Sequence, residues 1–349
     1  MTSTKGAIGY ACVYTPLPLI TAAGFTPHRV LPVGDYPDQA GRLLHDNLCP
    51  HVKRILDMAL SGALPGLSGM VFMNSCDSMR RLHDAFRTAR HEIKAILIDL
   101  PSAKNESAVG FFSEECGRLA PALESWGGDR ITGKAITEAV ALHTRLCALF
   151  EEMRQGMREG TLPGGAAALQ RAYNTASRMH PDEAINELSK VLNKSGGGAN
   201  PRGVPVYLFG NVLPQPEAYE LFESCGARIV SEDVCTGSRA FALIETKGGD
   251  ALRGLAEGIL SRPPCARTFD AENPGGMAGA IATAARECGA KGVIGYTAKF
   301  CDPYIARMPG VREALRREGI PFLLLEGDCT VRSIGQQATR IEAFIEMMR

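Results

Sequence analysis

The residues best placed to do chemistry in this 349-residue chain are cysteines at two matching turns. The apolar run Met70 to Met73 leads into Asn74-Ser75-Cys76-Asp77-Ser78-Met79-Arg80-Arg81, and Gly292-Val293-Ile294-Gly295 leads into Lys299-Phe300-Cys301-Asp302-Pro303. Each run reads as a buried strand, and the first turn is followed by apolar residues at helical spacing, Met79, Leu82, Ala85 and Phe86. A cysteine on a strand-to-helix turn lies at the carboxyl edge of a parallel sheet, where ligands bind. The helix behind it turns N–H groups and a positive dipole end toward that edge. Such a setting favours thiolate over thiol.

Of the 11 cysteines, six fall on loops beside proline, glycine or aspartate: Cys12, Cys49, Cys76, Cys235, Cys265 and Cys301. Cys116, Cys147, Cys225 and Cys288 fall inside helical patterns or beside helix-ending glycines and read as small apolar core residues. Cys329, after Glu326-Gly327-Asp328, is assigned to structure as well. No C-x-x-C pair occurs, so neither a zinc ribbon nor a ferredoxin-type run is present, and a metal site must be assembled from distant loops. Three of the six come from each end of the chain, and soft thiolates select iron–sulfur clusters, zinc or copper(I). Two sets of three suit cubane clusters better than a four-ligand zinc site. Asp77 and Asp302 each follow a proposed ligand and are expected to cap the next helix. Arg80, Arg81, Arg239 and Arg267 lie near cysteines and could offset an anionic cluster or bind an anionic substrate.

The elements that must position these residues follow an α/β, helical, α/β order. A strand-like stretch ending at a turn is read over Ile8 to Pro16, and strands at Arg29 to Val33, Met70 to Met73 and Ala95 to Leu100, with helices at Leu19 to Ala23, from Pro50 and over Ser78 to Ala89. From Gly110 to about Lys194 strand signals vanish and apolar residues keep helical spacing. Gly196 to Gly198 and Pro201 read as a boundary. A second α/β unit follows, with strands at Val204 to Phe209, Ala227 to Val230, near Tyr296 and at Pro321 to Leu325. The fold class expected is therefore α/β: two Rossmann-like parallel-sheet domains, residues 1–109 and 199–349, with a helical insert at 110–198.

Composition narrows the function. Hydrophobic residues at 45% and charged residues at 22% are those of a soluble globular protein, and the formal net charge of +0 gives no reason to expect nucleic acid or a membrane surface as partner. No apolar run approaches a bilayer span and no leader is read at Met1 to Tyr14, so a cytoplasmic location is expected. No phosphate-loop motif occurs, and the glycine-rich Ser195 to Asn200 lacks the preceding strand and following lysine, so any ATP would be hydrolysed by another protein.

At these loops the sequence resembles the 2-hydroxyacyl-CoA dehydratase and benzoyl-CoA reductase family, most closely its double-cubane cluster protein branch. The resemblance is carried by Gly9 to Pro16, Asn74 to Leu82, Asp233-Val234-Cys235-Thr236-Gly237-Ser238-Arg239, Pro264-Cys265, Lys299 to Asp302 and Gln337 to Phe344. It implies a homodimer with oxygen-sensitive clusters, fed with low-potential electrons by a separate ATP-dependent iron–sulfur activator. Positions matching Cys49, Cys76 and Cys301 carry cluster ligands in the family, and Cys12, Cys235 and Cys265 would be the additional set of a double-cubane 8Fe–9S cluster. Pro18 stands where relatives usually carry glutamate. The expectation is an iron–sulfur reductase acting on a small substrate. Alternatives are a 2-hydroxyacyl-CoA dehydratase or aryl-CoA reductase subunit with one 4Fe–4S cluster and an acyl-CoA substrate, a non-catalytic electron carrier, and a zinc-stabilised binding module.

Overall fold

The structure is a computed structural model and describes residues 4–34, 36–192, 202–246 and 249–349. The boundary read at Gly196 to Gly198 and Pro201 lies outside the described residues. The first sheet is built from β1 (Ala7–Tyr10), β2 (Thr26–Arg29), β3 (Leu67–Asn74) and β4 (Ala95–Asp99), with α1 (Leu17–Ala22), α2 (Pro50–Leu60) and α3 (Asp77–Ala89) among them. Four helices follow: α4 (Glu106–Ser125), α5 (Gly133–Glu159), α6 (Gly165–Ala176) and α7 (Pro181–Leu192). The second sheet comprises β5 (Val204–Gly210), β6 (Ala227–Val234), β7 (Gly292–Ala298) and β8 (Phe322–Gly327). Its helices are α8 (Pro216–Ser224), α10 (Gly276–Glu287), α11 (Asp302–Arg317), α12 (Val331–Gly335) and α13 (Ala338–Glu346), while α9 (Ala251–Leu260) lies between β6 and α10 in sequence.

Both sheets are wholly parallel and share one strand order, β2-β1-β3-β4 in the first and β6-β5-β7-β8 in the second. This is the α/β, Rossmann-like architecture expected. Helices on the faces of a parallel sheet bury its strands from both sides, so the central strands are apolar throughout. Met70, Val71, Phe72 and Met73 are all buried in β3, and all seven residues of β7 are buried. In each sheet the winding reverses beside the first strand, between β1 and β3 and between β5 and β7. Open parallel sheets bind ligands outside the carboxyl ends of the strands at such reversals.

The chain divides into two compact units. The first takes residues 1–148, 175–186 and 242–271; the second takes 149–174, 187–241 and 272–349. The second strand lies at Thr26–Arg29 rather than Arg29 to Val33, because Thr26 to Arg29 pair in register with Ala7 to Tyr10. Pro27 fits there because β2 is an edge strand. β6 continues through Ser231 to Val234, so Cys235 stands directly at the strand end.

Candidate functional site

Cys49, Cys76 and Cys301 each occupy the N-cap position of a helix, α2, α3 and α11 respectively, and none of the three side chains accepts a capping hydrogen bond. N-caps are ordinarily Ser, Thr, Asp or Asn, whose oxygens satisfy the first helical N–H groups. Here sulfur stands at the positive end of the dipole instead. Asp77 and Asp302, expected as caps, are the first residues inside their helices. Asp77 pairs with Arg80 at 2.6 Å and Arg81 at 3.5 Å, and the Arg80 hydrogen bond holds its carboxyl below the usual carboxylate range. Phe300, directly before Cys301, has φ 56°, a left-handed conformation that costs a non-glycine residue about 1–2 kcal/mol. Cys329, after β8, is the other described non-glycine residue with positive φ, at 65°.

In the first unit, Cys12 follows β1 and Cys76 follows β3, so they flank the winding reversal. Cys49 is tied to the Cys76 turn, since its backbone N–H donates to Ser78 Oγ at 3.5 Å. Cys265 also belongs to this unit, although its position in the sequence groups it with the second sheet. Its backbone N–H donates to Tyr14 Oη at 3.4 Å, two residues from Cys12. Arg262 Nη1 donates to the Val13 carbonyl at 2.9 Å, Arg267 donates to the carbonyls of Leu100 and Pro101, and the Phe269 N–H donates to Ser102. The loop after α9 is thereby sewn to the loops after β1 and β4. Four of the six proposed ligands thus lie in the first unit and two in the second, where the sequence suggests three and three.

Arg262 carries no sequence signal that sets it apart. It is buried, its Nε has no acceptor, and burial pulls its pKa down while the neighbouring Cys147, Tyr14, Tyr10 and Cys12 favour the charged form. The arginines that do stand out in the sequence have other partners. Arg80 and Arg81 are exposed against Asp77, Arg239 pairs with Asp233, and Arg267 holds loop carbonyls. Only the packing of Arg262 distinguishes it from an ordinary loop arginine before Pro263-Pro264.

In the second unit the loops after β5, β6 and β7 meet at Gly210 and Asn211. The Cys235 N–H donates to the Asn211 carbonyl at 2.6 Å, and Asn211 Oδ1 accepts from the N–H groups of Val212 at 2.9 Å and Ala298 at 3.1 Å. Arg239 Nη1 and Tyr304 Oη both donate to the Gly210 carbonyl, at 3.2 and 2.6 Å, which joins the Cys235 loop to the helix that Cys301 begins. A Cβ on Gly210 would fall 2.1 Å from the Tyr296 carbonyl oxygen, so this close approach of β5 and β7 requires glycine.

The segment Cys235 to Arg239 has a separate job for each residue. Thr236 Oγ1 accepts from the Leu213 N–H at 2.9 Å, and its carbonyl accepts from Gln170 at 3.1 Å. Gly237 leaves room for the buried Glu232 carboxylate, whose Oε2 would lie 2.3 Å from a Cβ there. Glu232 accepts from the backbone N–H groups of Val234 at 3.0 Å and Ser238 at 2.8 Å, and from Tyr173 Oη at 3.1 Å. Burial pushes its carboxyl pKa up, against the pull of those two N–H groups.

The thiols of Cys147, Cys225 and Cys288 donate to carbonyls of Ala242, Ala338 and Ala285 at 3.7, 3.9 and 3.3 Å. Burial raises the thiol pKa of Cys116, Cys225 and Cys288, keeping them protonated. Among the described residues no three His, Cys, Asp or Glu side chains converge closely enough to share a single metal ion, and no helix is long and apolar enough to cross a membrane.

A doubly repeated parallel sheet with thiols along its strand ends defines a class to which known proteins can be compared. Residues 12–348 match the family described as 2-hydroxyglutaryl-CoA dehydratase, D-component, and the chain belongs to that family. It is 26% identical over 352 residues to the (R)-phenyllactyl-CoA dehydratase beta subunit of Clostridium sporogenes, covering 98% of this chain and 91% of that protein. It is 26% identical to the beta subunit of the (R)-2-hydroxyglutaryl-CoA dehydratase of Acidaminococcus fermentans, covering 99% and 93%. It is 22% identical to one of the subunits of the benzoyl-CoA reductase of Thauera aromatica, covering 92% and 85%. The chain is thus an enzyme of the 2-hydroxyacyl-CoA dehydratase and benzoyl-CoA reductase family. Pro18 is buried in the first turn of α1, where proline's fixed φ is accommodated.

Proposed function

We propose that this chain is a cytoplasmic, homodimeric iron–sulfur reductase that receives low-potential electrons from an ATP-dependent activator and passes them to a small substrate. The observation that carries the reading is the placement of the six cysteines: all lie on loops, three at helix N-caps; Cys12, Cys76, Cys235 and Cys301 follow strand ends, and Cys265 is pinned to the loop after β1. The donor set fits an iron–sulfur cluster. Six thiols are what two cubanes with three thiolates each would use, which favours a double-cubane 8Fe–9S cluster over a single 4Fe–4S cluster. A cubane takes each thiolate at a separate iron, so its ligands need not converge as those of a single ion must.

When bound, the cluster supplies single electrons at low potential. The chain's residues hold and tune it: Cys12, Cys49, Cys76, Cys235, Cys265 and Cys301 would be the ligands, and the N-terminal ends of α2, α3 and α11 and the Arg262 guanidinium offset thiolate charge. Glu232, Asn211 and Tyr304 fix the loops that carry Cys235 and Cys301. The dehydratase and reductase names of the relatives favour a substrate with a reducible carbonyl or thioester group.

The test is turnover by anaerobically purified protein mixed with ATP and an iron–sulfur activator of this family. Reduction of a small acceptor by this chain alone is expected. Turnover of a 2-hydroxyacyl-CoA thioester only after addition of a second subunit of the same fold would establish the dehydratase alternative. Reduction of the chain with no turnover of any acceptor would establish an electron carrier.

A further inference from the structure

Asn211 stands at the winding reversal of the second sheet, directly after β5 and between the strands that end at Cys235 and near Cys301. Its side chain is buried, with 7% of its surface exposed. The backbone N–H groups of Val212 and Ala298 both point at one oxygen of its amide, and only an acceptor can satisfy two donors, which fixes that atom as Oδ1. The other end of the amide is therefore Nδ2, held in one orientation with two N–H donors. It is buried and has no hydrogen-bond partner. A buried amide nitrogen without an acceptor costs about 1–3 kcal/mol, a cost the fold recovers only if something absent from the chain itself accepts.

The same residue receives the Cys235 N–H on its backbone carbonyl, and its side-chain oxygen anchors Ala298, three residues before Cys301. One asparagine thus braces both cysteine loops of the unit and keeps a spare donor at their junction. We infer that Asn211 Nδ2 donates a hydrogen bond to a sulfur, thiolate or inorganic sulfide, of the iron–sulfur cluster held at Cys235 and Cys301, and raises its reduction potential. Adding an electron makes the cluster sulfurs more negative, so a fixed N–H donor stabilises the reduced form more than the oxidised one. The inference rests on the iron–sulfur reading above.

Iron and acid-labile sulfide per chain are counted first on anaerobically purified wild-type protein. A wild type without iron overturns the cluster reading itself, and this inference with it. With iron present, the midpoint potentials of wild type, Asn211→Ala and Asn211→Asp are measured by redox titration followed by electron paramagnetic resonance. Asn211→Ala removes the donor without adding charge. Asn211→Asp keeps an oxygen for the Val212 and Ala298 N–H groups, so it remains a fold-preserving variant if the alanine protein fails to fold. Expected are iron retained in the aspartate variant and at least in part in the alanine variant, which gives up both Oδ1 bonds, and a shift of the retained cluster to lower potential in both, larger for aspartate, whose charge acts in the same direction. Wild-type potential in the alanine variant with normal iron overturns the inference, whatever the aspartate variant does. So does an unchanged potential joined to a raised KM for the acceptor, which would place the donor on a substrate oxygen. Iron loss from both variants with far-ultraviolet circular dichroism retained would reduce Asn211 to loop construction and overturn it equally.

Discussion

At the scale of single residues, charge placed in buried positions carries the account. Arg262 is buried near Cys12, so Arg262→Met is expected to slow alkylation of the Cys12 thiol at neutral pH in iron-free protein. Peptide mapping after iodoacetamide treatment would read this, and an unchanged rate would remove Arg262 from the site. His143, which contacts Thr21 Oγ1 at 3.0 Å, has its pKa lowered to about 3, chiefly by burial and further by Arg262 and His180. Its unfolded form takes up a proton near pH 6.5, whereas the folded form resists until far lower pH. The stability it permits is complete above pH 6.5 and is lost as pH falls toward 3, amounting to roughly 2 kcal/mol at pH 5. Denaturant midpoints of wild type and His143→Leu at pH 7 and 5 should differ in slope accordingly. Equal slopes would show that another group governs acid sensitivity. The six cysteines are readable in the sequence because proline, glycine and aspartate mark their loops; Arg262 and Asn211 are not, because their importance lies in what surrounds them after folding.

At the scale of elements, two devices set the thiols: helix starts and a braced turn. Cys49, Cys76 and Cys301 take the N-cap position itself, which the sequence pattern assigns to Asp77 and Asp302 at the latter two helices. Capping chemistry favours aspartate, and nothing local announces that sulfur displaces it. The turn from Cys235 to Arg239 is legible as a motif, but its mechanics are not, because Glu232 lies upstream in residues that read as loop and form strand. Glu232→Gln would put an amide N–H2 against a backbone N–H and is expected to cost about 1–3 kcal/mol. Gly237→Ala drives a Cβ toward Glu232 Oε2 and is expected to cost a similar amount, about 1–3 kcal/mol. Both should lower iron content more than Ser224→Ala, whose hydroxyl donates within the exposed end of α8. Thermal unfolding with iron analysis would read these effects, and wild-type iron in both turn variants would show that the brace does not serve the thiol.

At the scale of the whole chain, one strand order is used twice, and the α/β character behind it is legible from short apolar strands and amphipathic helices. The placement of residues 242–271 with the first unit is not legible. α9 packs on α4, Arg253 pairs with Glu106, and Lys104 Nζ holds the Arg262 carbonyl at 3.0 Å. These are contacts between residues far apart in the chain, which no local pattern encodes. Cys265 therefore joins Cys12 rather than the cysteines nearest it in sequence. The six loop cysteines, and not the helix cysteines, are expected to hold an iron–sulfur centre. Iron and acid-labile sulfide per chain should be measured on anaerobically purified wild type and on Cys235→Ala and Cys225→Ala. About eight irons in wild type and in Cys225→Ala, with a clear fall in Cys235→Ala, is the predicted result. About four irons indifferent to Cys235 would contradict the double-cubane assignment, and no iron after anaerobic reconstitution would contradict the claim entirely.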